Sequence, residues 1–182
     1  MIKEITAREL DPEDFIKNKV KEIRDAVGDD IAINALSGGV DSSTVTMLGS
    51  RALGDRLETV FIENGLMREG ESKQVARLFK KSGIKVEIVD ARTEFLAALE
   101  GVTDPEEKRE VITQTFYKVV FGRIVDETGA KCLLQGTILT DIDETLAGIK
   151  RQHNVCEQLG IDPQKDFGYK IIEPLISFAR TE

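Results

Sequence analysis

The segment Ile31-Ala-Ile-Asn-Ala-Leu36, followed at once by Ser37-Gly-Gly-Val-Asp-Ser-Ser43, constrains the fold more than any other part of the chain. Six mostly apolar residues predict a buried strand. Two glycines then permit a sharp turn with exposed N–H groups. Asp41, Ser42 and Ser43 are candidate caps for a helix that starts beneath the turn. Strand, glycine turn and helix N-terminus together form a nest of N–H donors with partial positive charge, which suits a phosphate. Two common phosphate motifs are absent. A P-loop places a lysine on the β/γ-phosphates, yet no lysine occurs between Lys21 and Lys73. No G-x-G-x-x-G dinucleotide fingerprint follows any predicted strand.

A chain of 182 residues fits one domain with a sizeable core. Its net charge of −8 argues against a dedicated nucleic-acid binder, because duplex affinity rests on phosphate neutralisation. No run of roughly 18 apolar residues is present and Met1-Ile-Lys-Glu-Ile is no signal peptide, so no membrane partner and a cytoplasmic address are expected. Cys132 and Cys156 are the only cysteines, His153 is the only histidine, and no C-x-x-C occurs. A structural zinc or redox site is therefore not expected. Cys132 lies in an apolar run and reads as a small packed hydrophobe. A glutaminase built on a Cys/His/Glu triad would need a nucleophile elbow, which this chain lacks. Any ammonia must come from another polypeptide or from free ammonium.

Taken in order, Pro12–Val27 reads as an amphipathic helix with Asp11 as N-cap, Pro12 at N1 and Gly28 as its stop. A helix over Ser42–Leu53 follows the glycine turn, with Val45, Leu48 and Leu53 inward and Gly54 ending it. Leu57–Ile62 is a second strand that ends at a turn through Asn64-Gly65. Glu69–Lys81 is a third helix, with Val75, Leu78 and Phe79 inward, and Ile84–Val89 a third strand closed by Asp90. Thr93–Leu99 predicts a short helix. Asp104, Pro105 and Glu107 read as N-cap, N1 and N3 of a long helix to about Asp126. Lys131–Gly136 is a fourth strand and Tyr169–Leu175 carries a further apolar stretch. Strands alternating with helices at this spacing imply a doubly wound parallel α/β sheet covered on both faces.

The loop Ser37–Ser43 resembles the signature loop of the PP-loop, or N-type, ATP pyrophosphatases. The resemblance implies an adenine nucleotide alpha hydrolase-like fold, with the β/γ-phosphates of ATP held on the loop and the α-phosphate open to attack. Five further pieces follow in order and spacing: Phe61–Met67, Gly101–Arg109, Gln135-Gly-Thr137 with Asp141, Ile149-Lys150 with His153-Asn-Val155, and Glu173-Pro-Leu175. Together they resemble the ATP pyrophosphatase part of GMP synthetase, from about Phe15 to the last residue. That family adenylylates XMP with Mg-ATP, releasing pyrophosphate, and ammonia then displaces AMP to give GMP.

By this resemblance residues 1–182 form one ATP pyrophosphatase domain, with ATP and Mg²⁺ as cofactors. Ser37, Gly38, Gly39, Asp41, Ser42 and Ser43 would hold the pyrophosphate portion, with Asp41 also in the Mg²⁺ shell. Leu36 and the Phe61–Asn64 strand end, Ile62 included, would border the adenosine. Gly136, Thr137 and Asp141 would form the other crevice wall, where Asp141 is a second metal candidate. Lys150, His153 and Asn154 match a lid, where the lysine would stabilise charge on the transferring phosphate. Arg109 would touch the XMP phosphate. Simpler readings stand beside these: Lys150 and Arg151 as a solvated helix face, His153 as a packed or capping residue, Asp104 as a helix cap, and Glu173-Pro174 as a strand end.

Some positions depart from the family pattern. Leu139-Thr140 stands where the family has a tyrosine–proline pair, Gln152 replaces the first of two histidines, and Cys156-Glu-Gln158 replaces a glycine-rich stretch. The chain stops at Arg180-Thr-Glu182 straight after an apolar stretch, which reads as a cut protein. The family's C-terminal dimerisation domain, which helps complete the XMP site, is absent from it, so a homodimer is an open possibility. A separate glutamine amidotransferase subunit is the expected partner. Two rivals remain: another PP-loop enzyme (an NAD synthetase, an asparagine-type amidator or a tRNA-modifying thiolase), and a non-catalytic ATP-binding paralogue. A thiolase would favour reactive cysteine pairs and a basic surface, both missing here.

Overall fold

Asp11 caps the first helix, α1 (Pro12–Val27), by accepting from the Glu13 and Asp14 N–H groups, as the Asp-Pro pair predicts. The computed structural model describes residues 10–141, 165 and 168–178. Five strands follow: β1 (Ala32–Ala35), β2 (Leu57–Glu63), β3 (Glu87–Asp90), β4 (Cys132–Leu134) and β5 (Lys170–Ile172). All neighbouring pairs are parallel, in the order β3-β2-β1-β4-β5. Chain order thus reverses at β1, and the crevice of such a sheet lies beyond the carboxyl ends of β1 and β4.

Helices cover both faces. On one side lie α1, α2 (Val40–Leu53) and α3 (Glu71–Lys81). On the other lie α4 (Arg92–Ala98), α5 (Pro105–Gln114), a π-helical segment (Thr115–Phe121) and α6 (Gly122–Thr128). The alternation along β1 divides the core. Ala32 packs with Ile23, Val27, Val45 and Leu48 under α1 and α2, whereas Ile33 packs with Phe95, Val120, Phe121 and Ile124 on the opposite face. Cys132 belongs to the first cluster, where burial pushes its thiol pKa up; it packs as the predicted small hydrophobe. Among the described residues no helix is long and apolar enough to cross a membrane.

Three expectations are corrected. The second helix starts at Val40, not Ser42, because extended Gly39 is its N-cap; Asp41, Ser42 and Ser43 lie inside its first turns rather than at the cap. Leu78 is 62% exposed, since the inward stripe of α3 runs through Ser72, Val75 and Phe79. The long helix from Pro105 is helical to Thr128 but passes through the π segment, which turns Tyr117, Val120 and Phe121 into the core. Asp104 caps it, accepting from Glu106 and Glu107 N–H at 2.9 Å each.

Candidate active site

Extended chain from β1 runs into the loop at Leu36, whose N–H still donates to Val60 C=O at 2.8 Å. Gly38 then adopts φ +83°, a left-handed conformation that favours glycine. A Cβ there would also lie 2.8 Å from Val75 Cγ2 on α3. Hydroxyls close the turn. Ser37 and Ser42 Oγ atoms are 2.9 Å apart, the Ser37 N–H donates to Ser42 Oγ at 3.3 Å, and the Gly39 N–H donates to Ser37 Oγ at 3.4 Å. Ser42 Oγ also lies 3.2 Å from Gly39 C=O. Ser43 N–H makes the first helical bond, to Gly39 C=O. The loop residues Ser37, Gly38 and Gly39 are exposed, and the first N–H groups of a helix have no intrahelical acceptor. Exposed N–H groups at a helix start are chemically suited to an anion.

The opposite wall comes from the segment after β4. Gly136 presses on the first turn of α2: a Cβ on it would stand 3.0 Å from both Asp41 C and Ser42 N. Thr137 is buried and its Oγ1 accepts from Gln135 Nε2 at 3.0 Å, while Gln135 Oε1 accepts from the Tyr117 hydroxyl at 3.2 Å. The buried Asp141 carboxylate accepts from the Ile138 N–H at 3.2 Å. Loop and wall therefore meet at Gly136, with Asp41 on one side and Asp141 anchored three residues from its hydrogen-bond donor on the other.

Leu36 is 2% exposed and its side chain packs with Phe79 and Ile84. Ile62 is buried in the opposite cluster, with Val60 and Phe95. Arg109 lies on α5, about half exposed, and pairs with Glu106. Lys150, His153 and Asn154 lie outside the described residues. Sequence reasoning missed the Tyr117–Gln135–Thr137 chain and the buried Asn34–Thr46 pair beneath the loop. The only signal for the latter was a single amide in an apolar strand.

At the carboxyl end of β3, Asp90 forms a two-bond pair with Arg92, at 2.8 and 2.5 Å. The guanidinium's hydrogen bonds hold the Asp90 carboxyl at about 2, below its ordinary 3.8. Its contribution to stability is full above the ordinary value and is lost as pH falls through about 2. Arg92→Ala is expected to return the Asp90 midpoint toward 3.8 in a carboxyl NMR titration. A midpoint unmoved by the substitution would refute the pairing.

A family model described as NAD synthase matches residues 10–118. The chain belongs to this family. Curated relatives of the chain carry another name. A protein of Archaeoglobus fulgidus, named as a subunit of a glutamine-hydrolyzing GMP synthase, is 48% identical over 173 residues, covering 95% of this chain and 55% of the relative. Its namesake from Pyrococcus furiosus is 48% identical over 171 residues, covering 93% and 53%. The chain thus spans about half the length of the curated relatives it matches. The solved NH3-dependent NAD synthetase from Campylobacter jejuni shares the fold of this NAD synthase family member at a TM-score of 0.70. Its sequence identity is 15%, over 95% of this chain and 70% of that one.

Proposed function

We propose that the chain is the ATP pyrophosphatase part of a GMP synthetase: it adenylylates XMP with Mg-ATP, releases pyrophosphate, and lets ammonia displace AMP to give GMP. The observation that carries this reading is the 48% identity, across 95% of the chain, to a relative named as a GMP synthase subunit. The exposed, preorganised Ser37–Ser43 cradle supports the phosphate half of it. The word "glutamine-hydrolyzing" in the relatives' name supports a separate glutaminase subunit as the ammonia source. A homodimer and a cytoplasmic location belong to the same proposal.

Among the described residues no cluster of three or more acidic, histidine or cysteine side chains is fit to hold a metal alone. Mg²⁺ in nucleotide sites takes one or two carboxylates and completes its shell with phosphate oxygens and water. Asp41 and Asp141, on the two segments that meet at Gly136, would supply such carboxylates to an ion delivered with the triphosphate. Bound there, Mg²⁺ would neutralise charge on the phosphates. The protein's own part is positioning. N–H groups at the start of α2 receive the departing pyrophosphate, whose charge the helix N-terminus favours. Thr137, Asp141 and, by resemblance, Lys150 flank the reacting phosphate. His153 and Asn154 would close over it and exclude water, which protects adenylyl-XMP from hydrolysis.

The test is product analysis with Mg-ATP, XMP and ammonium, scoring AMP, pyrophosphate and GMP together. Equal, XMP-dependent amounts of all three are expected, from this chain or from one extended to the relatives' length. Absence of turnover in both would overturn the XMP reading. The family model favours one second reading, amidation of the acid precursor of NAD, which the same assay scores when that acceptor replaces XMP.

A further inference from the structure

Beyond Asn34 the strands β1 and β4 part. Their register ends at the pair Asn34–Leu134. Past it the β1 backbone serves β2, through Leu36 N–H to Val60 C=O at 2.8 Å, and β4 serves β5, through Gln135 N–H to Ile172 C=O at 3.0 Å. The Asn34 side chain reaches across this divergence and is 1% exposed. A carbonyl can only accept, so the amide must turn Nδ2 to Leu134 C=O, 3.1 Å away, and Oδ1 to the Thr46 hydroxyl. Thr46 Oγ1 also lies 2.8 Å from Ser42 C=O, so one hydroxyl proton faces two acceptors. Ser42 in turn closes the loop through Ser37. One buried chain of polar groups therefore joins the last carbonyl of β4, two residues before Gly136, to the first turns of α2.

We propose that Asn34 is a positioning residue that sets the separation of the phosphate cradle from the Gly136–Thr137 wall, acting through Thr46. The inference rests on the reading of this crevice as an ATP site. Ala32 and Leu36, on the same face of the strand, carry apolar side chains with no hydrogen-bonding group and belong to the helix-side core clusters. Asn34 alone on that face of β1 holds both margins of the crevice at once.

MgATP affinity measured by titration calorimetry tests it, beside urea unfolding of the same chains. Asn34→Ala and the near-isosteric Thr46→Val should each weaken MgATP binding about tenfold, since small displacements of positioning groups have large effects. The double variant should bind no worse than the weaker single one, because the two residues act as a unit. Thr46→Ser, which keeps the hydroxyl, should stay within about twofold of the parent. Parent-like affinity in both single variants, with a lowered urea midpoint, would show a structural brace and sink the inference. Multiplied effects in the double variant would also sink it, by showing two independent residues. A parent chain that does not bind MgATP would instead overturn the ATP-site reading itself.

Discussion

Gly136→Val is expected to lower XMP-dependent AMP release by about a hundredfold or more, the scale of loss that a displacement near 1 Å produces. The cause is a backbone contact. The new Cβ would stand 3.0 Å from Asp41 C and Ser42 N and 3.3 Å from Asp41 O. Carbon atoms pack best about 3.5–4.0 Å apart, and a main chain in the first turn of a helix cannot rotate aside as a side-chain tip can. Either the wall or the start of α2 must retreat. Donors aimed at a developing oxyanion work at about 2.7–3.1 Å, so a retreat of a few tenths of an ångström removes much of their benefit. Gly136→Ala carries one methyl only and should fall between the parent and the valine variant. Far-UV circular dichroism and a single cooperative thermal transition should persist in both, because the contact lies at the crevice rather than in either core cluster. Parent-like turnover in Gly136→Val would mean that loop and wall do not act together.

Much of the fold could be read from residues whose role is local. Asp11-Pro12, Val27-Gly28, Leu53-Gly54 and Asp104-Pro105 mark helix ends through capping chemistry that needs no tertiary partner, and each lies where that chemistry puts it. Strand limits depend on the neighbouring strand instead. The apolar run from Ile84 pairs as a strand only from Glu87, since β2 offers Val60 to Glu63 as partners, and the Ile84 N–H is taken by Phe79 C=O at the end of α3. Periodicity also cannot register a π segment, because a single wider turn shifts which residues face inward after it. Leu78 misled for a simpler reason: an apolar side chain one position off the stripe looks inward on paper.

The site divides in the same way. The Ser37–Ser43 turn was legible because strand, glycine turn and helix start are contiguous in the chain. The crevice was not, since it is made where segments about a hundred residues apart converge. Gly136 gives no sequence sign that it must touch Asp41, and Thr46 reads as an ordinary helix residue until Asn34 lies opposite it. Leu36, which the resemblance sets beside the adenosine, turns its side chain into the core under α3.

Asp41→Asn is expected to reduce formation of AMP and pyrophosphate by about a thousandfold, the upper range for loss of one electrostatic group from a reacting centre. The substitution keeps size but exchanges one acceptor oxygen for an NH2 donor, so it removes the charge together with half of the carboxylate's accepting capacity. The helix-dipole share of its contribution to stability is only about 0.3–1 kcal/mol, as for any acidic residue in a first helical turn. Asp141→Asn makes the informative contrast. That carboxylate is buried on the Ile138 N–H, so losing its charge should weaken both turnover and the fold, the latter by about 1–2 kcal/mol. If Asp41 shares the Mg²⁺ shell, raising the magnesium concentration should partly restore its variant and shift the half-saturating level upward. A Ser37→Ala chain, whose defect lies in the loop's hydrogen bonds, should gain nothing from added magnesium. Parent-like turnover in Asp41→Asn would place the metal and the reacting phosphate elsewhere. A magnesium response shared equally by Ser37→Ala would show that Asp41 shapes the loop rather than holding the ion.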